Sequence, residues 1–421
     1  MTIRKSLFAI IIFMLAAPVM LRAEEVSLSL DEAISIALRD NRDILLESEE
    51  IKKAKLKIAE AQASLFPTLN FTGGWTDTRG YYAKDLGQTT TQATLKQYLY
   101  KGGKVINTIK QKQDNFEVTL ALLDKTKLEL VLNVKKAFYT LLLAREFANL
   151  NKGILENTQQ HLQVLLARYA NGQASESDIL KIKESLSAVE QAYGSSLNQM
   201  ESGLSLLRNL LYLDEATKIK PSGEFTYESR ELAYDAAFLK AMKTRPEIRQ
   251  YQAQEKVDKG AIEIAKADNR PNIYASWDYY SRTHLTTGTR NWNDYNVIGL
   301  TFSWPIFDGW ATKVKVEQAI VDLKETQLSK EKTTKDIALE LKNAYLDLQN
   351  ALAKIKSTQV QIDLYRDTVL ATQDKHKAGI ASSLDLEDVL LGYDISLFNQ
   401  KEAVYDYVLA KARFDKATGG L

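Results

Sequence analysis

Three isolated histidines, a scatter of acids and not one cysteine are what this chain of 421 residues offers to chemistry. His161, His284 and His376 have no His or Cys neighbour at metal-ligand spacing. The lack of cysteine excludes disulfides, thiolate metal sites and thiol nucleophiles. It also excludes a bacterial lipid anchor, which needs a cysteine directly after the cleavage site. Gly102-Gly103-Lys104 is too short for a phosphate loop of the form G-x-x-x-x-G-K-[ST]. Its counterpart, Gly309-Trp310-Ala311, points to a strand-to-helix turn in both places. The sequence therefore contains no catalytic constellation, no cofactor cradle and no metal set, and any energy for work must come from a partner.

The informative polar residues sit at two turns, Tyr169–Asp178 and His376–Asp388. Gly172 and Gly379 suit the left-handed conformation that ends a helix. Ser175-x-x-Asp178 and Ser382-x-x-Asp385 then have the form of capping boxes for returning helices. Asp388 lies one turn further on, where capping gives it no role, and Lys181 stands at the matching place of the first turn.

These turns recur because the chain is duplicated. Leu99-Tyr100-Lys101-Gly102 resembles Ile306-Phe307-Asp308-Gly309, 207 residues later. Ala137-Phe138, Gly172 and Asp178 meet Ala344-Tyr345, Gly379 and Asp385 at the same offset, whereas Phe66-Pro67 meets Arg270-Pro271 at 204. A loop between those blocks is expected to hold the three extra residues. Each half orders as helix, strand pair, very long helix, turn, long helix. The opening helices are expected over about Leu30–Leu65 and Tyr234–Asn269, each closed by a proline.

Alternation then switches to period two. Leu69, Phe71, Gly73 and Trp75 share one face, as do Ile298, Leu300, Phe302 and Trp304. The hairpins, about 67–100 and 271–305, are expected to contain strands of roughly ten residues, the length of a tilted transmembrane strand. Trp75, Tyr98, Tyr100, Tyr279, Tyr280, Trp292, Tyr295 and Trp304 crowd their ends like an interfacial girdle. Further along, Leu123, Leu130, Val134, Ala137 and Leu141 follow coiled-coil spacing, repeated by Ile337, Leu341, Ala344 and Leu348. A helix of about 65 residues reaches on the order of 100 Å.

Residues 1–23 are expected to be an export signal: Arg4 and Lys5 precede an apolar run from Leu7 to Met20, and Ala23 offers a small residue at the cut. The near balance of 55 basic and 54 acidic residues gives no support to a nucleic-acid partner. Four strands cannot close a barrel, and lipid does not tolerate open strand edges, so any barrel must be shared among copies.

Three segments carry a resemblance over essentially the whole mature chain. They are Leu30-Asp31-Glu32-Ala33-Ile34-Ser35-Ile36-Ala37-Leu38 with Asn41, Ala61-Gln62-Ala63-Ser64-Leu65-Phe66-Pro67, and Gly299 to Gly309. In this order the chain resembles the TolC-like outer membrane efflux protein family. The resemblance implies a mainly α protein with a transmembrane β part: a homotrimer whose twelve-stranded barrel continues into a periplasmic coiled-coil tunnel. It implies an outer-membrane exit duct of a tripartite efflux pump or type I secretion system. Such a duct touches outer-membrane lipid, meets a periplasmic adaptor (membrane fusion) protein and an inner-membrane pump, and opens its periplasmic mouth like an iris.

By that match Asp178, Asp385 and Asp388 would border the pore, and Gly172, Ser175, Gly379 and Ser382 would form the helix tips that contact the adaptor. The family often has an arginine two residues after the second turn's glycine; here Ala381 stands there, and His376 or Lys181 would have to replace its contacts. The expected division is a first repeat over 24–213, an equatorial linker over 214–233 and a second repeat over 234–421. The competing expectation is a trimeric coiled-coil stalk or adhesin with a β-barrel anchor. Such stalks carry one helical run and one C-terminal anchor, whereas here two equivalent hairpins lie within the chain.

Overall fold

Each half of the chain begins with a broken helix. In the computed structural model, which describes residues 26–81, 84–228, 233–286 and 289–420, strand β1 (Val26–Leu28) leads into α1 (Leu30–Asp40) and α2 (Arg42–Ala63). The segment expected as an export signal lies outside the described residues. Ser29 caps α1 with Glu32 in a capping box.

The single helix expected over 30–65 is two, because Asn41 is extended (φ −64°, ψ 133°) and its side chain accepts from the N–H of Asp43. The second copy breaks at the equivalent place, between α5 (Tyr234–Thr244) and α6 (Pro246–Ala267). Here Pro246 forces the preceding Arg245 out of the helical region, to φ −60° and ψ 126°.

Four strands follow in two hairpins: β2 (Thr68–Tyr81) with β3 (Lys84–Lys101), and, as numbered here, β5 (Asn272–Thr286) with β6 (Thr289–Ser303); β4 (Ile219–Pro221) lies between the repeats. The hairpins join into one antiparallel sheet of order β2-β3-β5-β6. They are longer than the ten residues expected, at 14, 18, 15 and 15. The apolar stretch that suggested the shorter length is only the lower part of each strand. Above it the ladder continues through polar residues such as Thr76, Asp77, Gln88 and Asn293, whose pairing needs no lipid. The three residues that separate the two offsets fall at the hairpin tips: Thr78 pairs with Leu86, and Arg282 with Asn293.

The register produces clean faces. Leu69, Leu95, Trp277 and Ile298 form one row straight across the sheet. The neighbouring row on the other face is Asn70, Thr94, Asp278 and Val297. Phe71, Trp75, Ile298, Leu300 and Phe302 are all exposed, Ile298 at 84%. On the opposite face Asp278 accepts from Thr94 Oγ1 at 2.6 Å and from Gln92 Nε2 at 3.1 Å.

Helices α3 (Lys104–Ala170) and α7 (Ala311–Lys377) run 67 residues each and are paired with α4 (Glu176–Leu211) and α8 (Ser383–Ala417). At 1.5 Å per residue the two long helices span about 100 Å. The predicted seam is buried: Leu130, Val134, Ala137 and Leu141 in one copy, Ile337, Leu341, Ala344 and Leu348 in the other. Leu28, Phe138, Leu207 and Ile219 meet in the first core, so the inter-repeat segment supplies a strand as well as a link. That strand, β4, pairs in parallel with β1.

The strand-to-helix joint between the repeats is tight. Gly102 has φ +60°, and a Cβ there would stand 2.7 Å from the carbonyl oxygen of Ala267. Gly102→Ala is expected to cost about 1–3 kcal/mol from backbone strain and this clash. Gly309→Ala, at φ +68° with nothing within 4 Å in the protomer, carries the backbone term alone. Denaturant midpoints of the two variants in detergent test this, with the Gly102 variant the lower.

Candidate pore mouth and membrane wall

The far ends of the long helix pairs are built alike. α3 ends with Gly172 at φ 71°, and the N–H of Gln173 donates back to the carbonyl of Arg168 at 2.9 Å. α7 ends with Gly379 at φ 72°, and Ile380 N–H donates to the Lys375 carbonyl at 2.8 Å. Both are the reversed-turn ending that satisfies orphan helix carbonyls. Ser175 and Ser382 then cap α4 and α8, as the Ser-x-x-Asp spacing predicts.

Asp178 Oδ2 accepts from Ser175 Oγ at 2.7 Å and from its N–H at 3.1 Å. Asp385 Oδ2 accepts from Ser382 Oγ at 2.7 Å and from its N–H at 2.8 Å. These donors hold both carboxyls below the ordinary aspartate value, the hydroxyl contributing most. The caps and negative charge at the helix tips therefore persist to lower pH than those of unpaired aspartates. The sign follows from linkage: a lowered pKa stabilises above the ordinary value and loses that contribution as pH falls through the folded one. Both carboxylates stay exposed while they cap. Asp388 is exposed on α8, one turn beyond the cap.

His376 does not reach another helix in the protomer. Its Nδ1 lies 3.0 Å from the Ala381 carbonyl and closes its own turn. Lys181 instead borders a cleft of about 420 Å³ with His161, Leu165, Asp178 and Leu384. His161, isolated in sequence, is paired with Glu387 across the two repeats. No local spacing could have announced a contact between α3 and α8. Among the described residues no group of three or more His, Asp or Glu could hold a metal ion.

The ends of the molecule thus differ in kind. One is a sheet with an apolar outer face, a polar inner face and two unpaired edges; the other is a pair of acidic helix tips about 100 Å away. Among the described residues no helix is long and apolar enough to cross a membrane.

The model of the outer membrane efflux protein family matches residues 33–211 and 239–420, and the chain belongs to that family. It is 22% identical over 412 residues to the alkaline protease secretion protein AprF of Pseudomonas aeruginosa, covering 91% of this chain and 84% of the relative. It is 20% identical to the outer membrane protein TolC of Escherichia coli over 87% of this chain and 77% of that one. The fold superimposes on the Campylobacter jejuni CmeC outer membrane channel with a TM-score of 0.78 at 16% identity, covering 93% of this chain and 85% of that one. The protein is an outer-membrane exit duct with a large periplasmic portion, and the coiled-coil stalk is not favoured.

Proposed function

We propose that three copies of this chain close a twelve-stranded barrel whose polar inner face continues into a helical tunnel. The tunnel's acidic mouth is opened by a periplasmic adaptor serving an inner-membrane pump. The observation that carries this is the four-stranded sheet with an apolar outer face and unpaired strands β2 and β6 at its edges. In lipid those edges must find partners, and another copy offers the complementary edge. Division into two repeats joined by an equatorial segment at 214–233 fits the paired cores, although that segment also contributes β4 to the first core.

In this proposal Asp178, Asp385 and Asp388 border the mouth and attract cations. The tips around Gly172, Ser175, Gly379 and Ser382 meet the adaptor. Opening separates the helix tips while their cores stay packed, a discrete exchange of contacts across α3, α4 and α8. His161 with Glu387 is among the contacts exchanged.

A single cysteine at Gln173 or Ile380, in a chain that has no other, tests the docking surface in cells. Disulfide or bismaleimide adducts with a periplasmic adaptor are expected from both turns. Adducts arising only from positions on α1 or α5, far from the tips, would contradict tip docking.

A further inference from the structure

The joint between the two repeats is a template for the joint between copies. Within one chain β3, the last strand of the first hairpin, pairs with β5, the first strand of the second. The unpaired strands β6 and β2 hold the same places in their hairpins, so β6 of one copy can meet β2 of the next as β3 meets β5. The repeat offsets, 207 for β3 onto β6 and 204 for β2 onto β5, convert the observed register into an intersubunit one. Leu95 opposite Trp277 becomes Phe302 opposite Gly73, and Ala93 opposite Tyr279 becomes Leu300 opposite Trp75. Large rings meet small residues or aliphatic ones, and all four belong to the apolar face. A slip of one residue would turn one partner inward, so this agreement was free to fail.

The helices below change character at the same joint. Between repeats, Asn107, Lys110 and Asp114 of α3 line a polar cleft with Lys256, Lys259, Gly260 and Glu263 of α6. Their equivalents for the intersubunit joint are Val314, Glu317 and Val321 of α7 with Lys52, Lys55, Leu56 and Ala59 of α2, so Asn107, Asp114, Gly260 and Glu263 give way to apolar side chains while Glu317, Lys52 and Lys55 stay charged. In the protomer Leu56 is 70% exposed, Val314 49% and Val321 55%. Gln111, whose Nε2 donates to the Val257 carbonyl at 3.2 Å, has Gln318 as its equivalent. A Cβ on Gly260 would already stand 3.3 Å from Gln111, so Leu56 requires α2 and α7 to sit further apart than α6 and α3.

The joint nearest the membrane shows the same exchange. Arg270 donates to the Gly102 carbonyl at 3.1 Å, whereas the equivalent residues are Phe66, exposed at 68%, and Gly309 beside the exposed Trp310.

We infer that the subunit seam is an apolar replica of the repeat seam, in which β6 pairs with β2 of a second copy in the register Ser303 opposite Thr72, and Leu56 of that copy packs against Val314 and Val321. The inference rests on the proposed self-assembly and adds its register and contact residues. Repeats tied by covalent continuity tolerate a polar joint. Separate copies need the hydrophobic effect, which is proportional to apolar area and is not screened by salt.

Paired cysteines test the register. Ser303 and Thr72 both lie on the polar face, and within one chain β2 and β6 stand about 14 Å apart, three strand spacings. An S303C/T72C disulfide must therefore join two copies. Oxidised S303C/T72C protein in outer-membrane vesicles should run as a covalent closed oligomer on non-reducing gels. S303C/N70C and S303C/G74C should give at least tenfold less, since diagonal partners lie beyond disulfide reach. An oligomer that crosslinks through Asn70 or Gly74 instead overturns the register but leaves self-assembly standing. A detergent-solubilised monomer with no adduct in any pair removes self-assembly and the seam together.

For the helical seam, L56E should lower the assembled fraction more than tenfold, and L56E/V321K should restore it. Unchanged assembly of L56E at low and high salt overturns the apolar contact.

Discussion

Arg245→Ala is expected to lower stability by about 3–5 kcal/mol, the cost of breaking a buried ion pair by removing one partner. The side chain is 4% exposed and ties together the break between α5 and α6, the middle of α7 and the end of α8. Its Nε and Nη2 both donate to Glu247 at 3.0 Å, Nη2 also donates to Glu340 at 2.9 Å, and Nη1 donates to the Lys416 carbonyl at 3.0 Å. Lys416 Nζ reaches the other oxygen of Glu340 at 2.9 Å, so losing the guanidinium strips both donors from Glu247 and leaves Glu340 with the lysine. Asn41 has the equivalent position in the first repeat and donates to the Leu210 carbonyl at 3.1 Å, without any charge. Asn41→Ala should therefore cost only about 1 kcal/mol, typical of a lost helix cap. Guanidinium midpoints of helix loss in detergent check the pair. Equal shifts would mean that the ionic cluster adds nothing to the tie.

The second large effect is electrical. Asp385→Asn with Asp388→Asn is expected to cut cation-over-anion permeability by roughly an order of magnitude at low salt. A unit charge about 8 Å from a passing ion acts with roughly 2 kcal/mol at an effective dielectric of 20, and several copies add. Asparagine is the right substitution because Asp385 also caps α8, and an amide oxygen can keep accepting from Ser382. The effect should shrink as salt rises and the screening length falls to about 10 Å at 0.1 M. Reversal potentials across a KCl gradient read it. Because hydrogen bonds hold Asp385 below the usual aspartate pKa of about 3.9, the wild-type preference should survive to lower pH than free carboxylates allow. A reversal potential unmoved by the double substitution would remove these acids from the pore.

Much of the architecture is legible in the residues because two copies report it. Gly172 and Gly379, Ser175 and Ser382, and the two buried seams each appear twice at one offset, and the structure places them alike. What escapes sequence reasoning has specific causes. The break at Asn41 is hidden because apolar spacing runs on through it, although Pro246 marks the same break in the other copy. Ser29 with Glu32 has the Ser-x-x-Glu spacing of a capping box directly before the first helix, a signal the sequence carries openly. β1 and β4 are three residues each, too short for any period to register. The joining of β3 to β5, the Arg245–Glu340 pair and the His161–Glu387 contact link residues more than ninety positions apart, where no local pattern can point. The acids at the helix tips are a different case: their positions follow from spacing, whereas the pore role proposed for them rests on the family resemblance alone.

In the proposed assembly the wall of the duct forms only when arcs of four strands from separate copies meet. Native mass spectrometry of the mature protein, extracted from the outer membrane in mild detergent, tests this most directly. The account predicts a closed oligomer of three chains that loses solubility once detergent is withdrawn. A single folded chain, stable in water without detergent, would contradict it.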